Sequence, residues 1–287
     1  MKTKAYLLFD IGGSKMRFSF SKDGKTLSDP VIVPVLKDFN EGIQYFSRIV
    51  QEFSREHSIQ AAAGGIAGPL DSTHTLLVNS PNLPGWIGKP LKTELEKIIG
   101  APVYLENDTA IAGLGEAVMG AGRGYGIVVY ITVSTGVGGV RIVDDAIDRN
   151  AMGFEIGHQI IDIDASQPTC SSCKTPGHLE AFISGSALEQ REGKKPYEIT
   201  DPKIWETEAR ILAYGLNNTI VYWSPDVIVL GGSVITGNSL FPLDKVRSYV
   251  KEMVAIFPQI PEIKKAELGD ASGLYGALVL LPQKRGA

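Results

Sequence analysis

The side chains best suited to chemistry fall in four short stretches. In Leu105-Glu106-Asn107-Asp108, three polar residues stand between an apolar, strand-like segment (Pro102-Val103-Tyr104-Leu105) and a run of Ala, Ile, Leu and Gly that reads as a tightly packed helix. Strand-to-helix junctions are where α/β proteins commonly place ligands. Asp108 also has an ordinary reading as the N-cap of that helix. The second stretch, Asp10-Ile11-Gly12-Gly13-Ser14-Lys15, separates the apolar run Ala5–Phe9 from the alternating Met16–Phe20. This is the pattern of a hairpin with a Gly-Gly tip. A hairpin needs a glycine anyway, but a carboxylate just before the tip and a lysine just after it exceed that need. They suit a metal-bound polyphosphate, with Asp10 toward Mg²⁺ and the backbone amides and Lys15 toward phosphate oxygens.

A second hairpin echoes the first. Tyr125 to Val133 reads as a long strand, Ser134-Thr135-Gly136-Val137-Gly138-Gly139 as a Gly-rich tip and Val140 to Val143 as the return strand. One lobe architecture used twice explains the echo, with two glycine tips gripping one nucleotide across a cleft. Gly231-Gly232-Ser233, after the buried strand Val227–Leu230, offers bare backbone to a base or ribose. The loop Asn79-Ser80-Pro81-Asn82-Leu83-Pro84-Gly85-Trp86 combines amides with an aromatic ring, which suits a polyhydroxylated ligand. The fourth stretch holds both cysteines of the chain and two of its four histidines: His158, Cys170, Cys173 and His178. Cys-x2-Cys followed by His has metal-ligand spacing, and His158 completes a tetrahedral Cys2His2 set for zinc. Four protein ligands leave no open position, so such a zinc is structural.

The elements that must carry these groups are legible from periodicity. Phe39, Ile43, Phe46, Val50 and Phe53 repeat at helical spacing behind Asp38, a plausible cap. Trp205, Ala209, Leu212, Leu216 and Ile220 do the same behind Asp201-Pro202. Gly269 to Leu281 reads as a packed helix in which Gly273 and Gly276 permit close approach. The 287 residues suffice for two lobes with cores of their own. A formal charge of −4 with no long basic run disfavours nucleic acid as a partner. Lys264-Lys265 and Lys284-Arg285 are expected at the surface. No segment is apolar for the length a bilayer requires, so no membrane partner is expected, and the N-terminus lacks the pattern of a secretory signal. The expected location is cytoplasmic, where a Cys pair points to metal or redox chemistry before a disulfide. Walker A and G-x-G-x-x-G patterns are both missing: Gly24-Lys25-Thr26 has Ser19 where the earlier glycine would stand.

In order along essentially the whole chain, Asp10–Lys15, Glu106-Asn107-Asp108, Ser134–Gly139, Glu155-Ile156-Gly157-His158 and the Cys cluster ending His178-Leu179-Glu180 resemble the ROK family of sugar kinases and sugar-responsive repressors. The resemblance implies an α/β, two-lobed hexokinase–actin-like (ribonuclease H-like) fold with an inter-lobe cleft for ATP. The small lobe is expected from 1–109 plus about 271–287 and the large lobe from 110–270. It implies Asp108 as general base, and Asn82, Asn107, Asp108, Glu155, His158 and Glu180 around a hexose. It places the family's zinc ligands on His158, Cys170, Cys173 and His178. Here the sequence departs from the usual pattern, which spaces the first two cysteines by one residue and has a third where His178 stands. Val140 and Phe154 also replace smaller residues. Gly12, Gly13, Ser14, Lys15, Ser134, Thr135, Gly136, Gly138, Gly139, Gly231 and Gly232, with Asp10 and its Mg²⁺, form the expected nucleotide contacts. The reading is an ATP-dependent kinase of a hexose. Glucose comes first because Pro81–Trp86 resembles the glucokinase loop; fructose and the N-acylhexosamines are alternatives, and polyphosphate is an alternative donor. The resemblance favours a homodimer. A non-catalytic sugar-sensing regulator is the alternative of another class, disfavoured because no helix-turn-helix precedes the Asp-x-Gly-Gly strand.

Overall fold

The computed structural model describes residues 2–164, 167–237 and 240–285, with side chains in the last helix described only to residue 283. Lys284-Arg285, expected at the surface, therefore lie outside the described side chains. The chain forms two compact units, Met1–Met119 with Arg149–Gly153 and Asp270–Ala287, and Gly120–Asp148 with Phe154–Gly269.

The first unit begins with β1 (Thr3–Ile11) and β2 (Lys15–Ser21), paired antiparallel from Tyr6↔Ser21 to Ile11↔Met16. β3 (Val31–Pro34) adds to β2, and α1 (Phe39–Phe53) crosses to β4 (His57–Ile66), which lies parallel to β1. α2 (Leu91–Ile99) then leads to β5 (Val103–Asn107), parallel to β4. The sheet order is β3-β2-β1-β4-β5. Asp38 caps α1 by accepting the Glu41 amide at 3.0 Å, as its position ahead of the apolar stripe predicts. Phe46 packs edge-on to both Phe9 and Phe18, with ring centroids 5.2 and 5.0 Å away.

After β5 the chain turns at once into α3 (Asp108–Met119), which packs on the C-terminal helix Ser272–Arg285. Glycine makes this crossing close. A Cβ on Gly276 would overlap the Ile111 carbonyl oxygen, and one on Gly115 would overlap that of Ser272. Most of α3 is therefore buried, which explains a composition apolar on all sides.

The second unit repeats the pattern. β6 (Ile127–Val133) and β7 (Val137–Val143) form the second hairpin, and β8 (Ala146–Ile147) adds to β7. α4 (Leu179–Ile183), α5 (Gly185–Glu192) and α6 (Pro202–Trp223) precede β9 (Val227–Gly231), parallel to β6. α7 (Leu243–Met253) leads to β10 (Glu262–Lys265), parallel to β9. The order β10-β9-β6-β7-β8 has the same connectivity and strand directions as the first sheet. Asp201 caps α6 through the Lys203 amide, and the expected stripe from Trp205 to Ile220 is buried. No helix among the described residues is long and apolar enough to cross a membrane.

Two boundaries differ from expectation. β6 starts at Ile127 rather than Tyr125, whose hydroxyl instead donates to Glu262 at 2.8 Å. The second tip is shorter than its glycine content suggests: Gly138 and Gly139 lie inside β7. Gly139 is small because a Cβ there would meet Ile156 at 2.6 Å. Packing, rather than a turn, requires that glycine.

Candidate active site

In the first unit, register places the chemistry. Asp10, Gly65 and Glu106 are opposite one another across the parallel strands β1, β4 and β5. Two strand spacings put Asp10 and Glu106 about 10 Å apart at the carboxyl ends of the strands, where ligands bind in such sheets. Asp108 follows directly as the first residue of α3. Gly65 lets that first turn sit against β4, since a Cβ would lie 3.0 Å from the Asp108 Cα and 2.7 Å from Ile111.

The helix cap is Asn107 rather than Asp108. Asn107 Oδ1 accepts the amides of Thr109 at 3.0 Å and Ala110 at 3.1 Å, while its Nδ2 donates to the Gly68 carbonyl at 3.1 Å. Both lone pairs of the amide oxygen are therefore engaged and one N–H remains. Asp108, the residue after the cap, accepts the adjacent Thr109 amide at 2.8 Å.

Asp10 is tied back by Arg17, whose Nη1 donates to Oδ2 at 3.2 Å and whose Nη2 donates to Asp270 at 3.0 Å. Burial pushes the Asp10 carboxyl up to about 6, against the pull of Arg17. The C-terminal helix presses on the same group, since a Cβ on Gly273 would come within 3.1 Å of the Asp10 Cγ. A carboxylate with a guanidinium on one oxygen keeps the other for a hydrated cation, the usual donor arrangement for Mg²⁺. At the hairpin tip Gly13 leaves no room for a side chain, because its Cβ would lie 2.8 Å from the Asn82 Cγ. Lys37 Nζ binds both loops, donating to the Gly13 carbonyl at 2.8 Å and the Asn82 carbonyl at 2.7 Å. Ser14 and Lys15 are exposed at the tip.

Trp86, expected to face a ligand from its loop, is core instead. It is 1% exposed, stacks edge-on to Phe39 and donates its indole N–H to the Leu36 carbonyl. Its bulk anchors the loop that carries Asn82.

In the second unit, the tip Ser134-Thr135-Gly136 adjoins the Gly231-Gly232-Ser233 turn, with the Ser134 and Ser233 hydroxyls 3.4 Å apart. Gly232 has φ of 87°, a left-handed conformation that suits glycine. Glu180, at the start of α4, accepts the Val137 amide at 2.9 Å, and a Cβ on Gly136 would stand 2.7 Å from the same carboxylate oxygen. Glu155 and His158 share one short turn, with Glu155 Oε2 3.8 Å from His158 Nε2. Burial pushes the Glu155 carboxyl up.

His158, Cys170, Cys173 and His178 converge, with one donor atom from each lying within 4.8 Å of all the others. The two Nδ1 atoms are 3.2 Å apart. Cys170 Sγ is 3.7 Å from His158 Nδ1, while Cys173 Sγ is 3.6 and 3.3 Å from the Nδ1 atoms of His158 and His178. A tetrahedral zinc with ordinary bond lengths would have N···N and N···S edges of about 3.3 and 3.6 Å. The donor set thus fits zinc. Burial, with His158 close by, depresses the His178 pKa and keeps that imidazole neutral. Burial raises the Cys173 thiol, but hydrogen bonds led by those from Thr175 outweigh it and bring it down to about 7. Both changes favour the ligating forms. His158 turns Nδ1 toward His178 and the two cysteines and Nε2 toward Glu155.

Lys37 and Arg17 escaped sequence reading. Each earns its role by joining segments far apart in the chain, and no local pattern marks either.

A profile described as the ROK family matches residues 6–284. The glucokinase of Thermotoga maritima is 29% identical over 96% of this chain and 97% of its own length. The N-acetyl-D-glucosamine kinase of Vibrio cholerae is 26% identical over 96% and 99%. Among solved structures, a ROK hexokinase from Thermus thermophilus superposes with a TM-score of 0.86 at 29% identity, covering 99% of this chain and all of that one. A ROK glucokinase from Streptomyces griseus, solved with glucose and AMPPNP, gives 0.80 at 25% identity, covering 97% and 99%.

Proposed function

The chain belongs to the ROK family, and from that premise we propose that it is an ATP-dependent sugar kinase, transferring the γ-phosphoryl group of MgATP to a hexose hydroxyl. Glucose, at its 6-hydroxyl, is the first candidate acceptor. Its support is the likeness to glucokinases and the Pro81–Trp86 loop. The similarity to an N-acetyl-D-glucosamine kinase keeps N-acylhexosamines as the second reading.

The observation that carries the proposal is the division of labour between Asn107 and Asp108. An Asp at a helix start normally caps it; here the neighbour does so. As the new P–O bond forms, the acceptor hydroxyl must lose its proton, and Asp108 is the group to take it, worth roughly a hundred- to ten-thousandfold in rate. Asn107 offers its remaining N–H to a sugar oxygen. Asn82 is the first unit's other hexose ligand; Glu155, His158 and Glu180 are those of the second. Each hydroxyl matched to a polar side chain that the bound sugar would cover rejects the epimer that leaves that side chain unpaired.

Phosphoryl transfer is mostly positioning and charge stabilisation. Asp10 would hold Mg²⁺, which neutralises charge on the phosphates when bound. Gly12, Gly13, Ser14 and Lys15 in one unit, with Ser134, Thr135, Gly136, Gly138, Gly139, Gly231 and Gly232 in the other, are the proposed nucleotide contacts. His158, Cys170, Cys173 and His178 would hold one structural zinc. The proposed location is the cytoplasm, and the family resemblance favours a homodimer.

The test is a coupled assay with MgATP across glucose, mannose, fructose, N-acetylglucosamine and N-acetylmannosamine, repeated with polyphosphate as donor. Glucose should give the highest kcat/KM with ATP. No turnover with any sugar would overturn the kinase reading.

A further inference from the structure

The two cysteines are separated by Ser171 and Ser172, and Ser172 makes contacts that closing a metal knuckle does not require. Its Oγ lies 3.0 Å from Glu180 Oε1 and 3.0 Å from Cys170 Sγ. The other oxygen of Glu180 accepts the Val137 amide at the glycine tip. Glu180 is thus held from two sides, by the metal-holding loop and by the start of β7. Cys170 Sγ also stands 3.4 Å from Glu180 Oε1. The Ser172 hydroxyl has one proton to place between the sulfur and the carboxylate oxygen, and the carboxylate is the stronger acceptor.

We infer that Ser172 is a positioning residue that sets sugar specificity: its hydroxyl orients Glu180, so that the loaded Cys/His knuckle fixes the direction from which Glu180 accepts a sugar hydroxyl. The inference rests on Glu180 being a hexose ligand. With one lone pair of each oxygen committed to protein donors, only fixed directions remain for the sugar. Epimers that present the hydroxyl elsewhere lose that bond. The loop reaches Glu180 through Ser172 while both sulfurs stay with the histidines.

The experiment compares Ser172→Ala, Ser172→Thr and Glu180→Gln with the unaltered enzyme. It reads kcat and KM for each hexose, hexose affinity by calorimetry without nucleotide, and zinc per chain. Ser172→Ala should keep its zinc, raise KM and the dissociation constant of the best hexose by about fivefold, the net worth of one hydrogen bond, and narrow discrimination between epimers, with kcat falling by less. Ser172→Thr should restore all three. If Ser172→Ala leaves hexose affinity and epimer ratios unchanged while Glu180→Gln raises KM, the inference is wrong although the sugar site stands. If Glu180→Gln changes neither KM nor affinity, the sugar-site reading itself fails and takes the inference with it. Loss of zinc from Ser172→Ala would also overturn the inference, by making the serine a part of the knuckle.

Discussion

Asn107 caps α3 and, in the proposed reading, also binds the sugar, and substitutions can separate the two roles. Asn107→Ala removes an N-cap, so it should cost about 1 kcal/mol in urea unfolding, and it should raise the hexose KM as well. Asn107→Asp keeps a capping oxygen but has no N–H to offer, so stability should largely return while KM stays high. An Asp variant with normal KM would remove Asn107 from the sugar site. Sequence reading found this stretch because three polar side chains in a row at a strand end are conspicuous. The ordinary reading of Asp108 as the cap falls one residue off because Asp and Asn cap equally well, and only the backbone decides which of them stands outside the first turn. Arg17 and Lys37 were illegible for a different reason. Arg17 meets Asp270 from the far end of the chain, and Lys37 meets Asn82 across 45 positions.

Between elements, close glycine contacts and the buried carboxylate of Glu208 bear on stability. Gly276→Ala should destabilise the first unit by about 3 kcal/mol or prevent folding, because the added methyl collides with backbone in α3 rather than with a side chain that can turn away. Stability near that of the unaltered protein would show that the two helices can move apart. Gly273 and Gly276 were legible as contact residues, since glycine in an otherwise apolar helix has few other uses. In the second unit Glu208 of α6 is 2% exposed and pairs with Arg191 of α5. Burial pushes its carboxyl up to about 7 in spite of the arginine. A carboxyl whose folded pKa is raised binds its proton more tightly in the native state, so stability falls as pH rises from about 4.5 to about 7. Compared with Glu208→Gln, the unaltered protein should lose on the order of 3 kcal/mol across that window; parallel stability profiles for the two proteins would contradict the assignment. The Cys/His loop makes its own prediction: one zinc per chain by elemental analysis, with a lowered Tm after chelation. A zinc-free protein of undiminished Tm would return Cys170 and Cys173 to packing residues. Residue types and spacing sufficed to find this cluster, but its link to Glu180 needed the folded loop.

At the scale of the molecule, one sheet topology serves both units, each with an antiparallel hairpin whose first strand is followed across the sheet by two parallel strands. The two hairpins were readable because each places its glycines between apolar strands. The parallel partners were not, since pairing β4 with β1 or β9 with β6 depends on contacts across a crossover that no local pattern encodes. The proposed reaction class rests on membership of the ROK family rather than on topology, and the proposal puts its general base at the carboxylate that starts α3. The most direct measurement is the turnover of Asp108→Asn with MgATP and the best hexose, alongside hexose affinity. Turnover should fall roughly a thousandfold with affinity kept within a few-fold. Turnover close to that of the unaltered enzyme would contradict a proton-accepting role for Asp108 and with it the proposed mechanism.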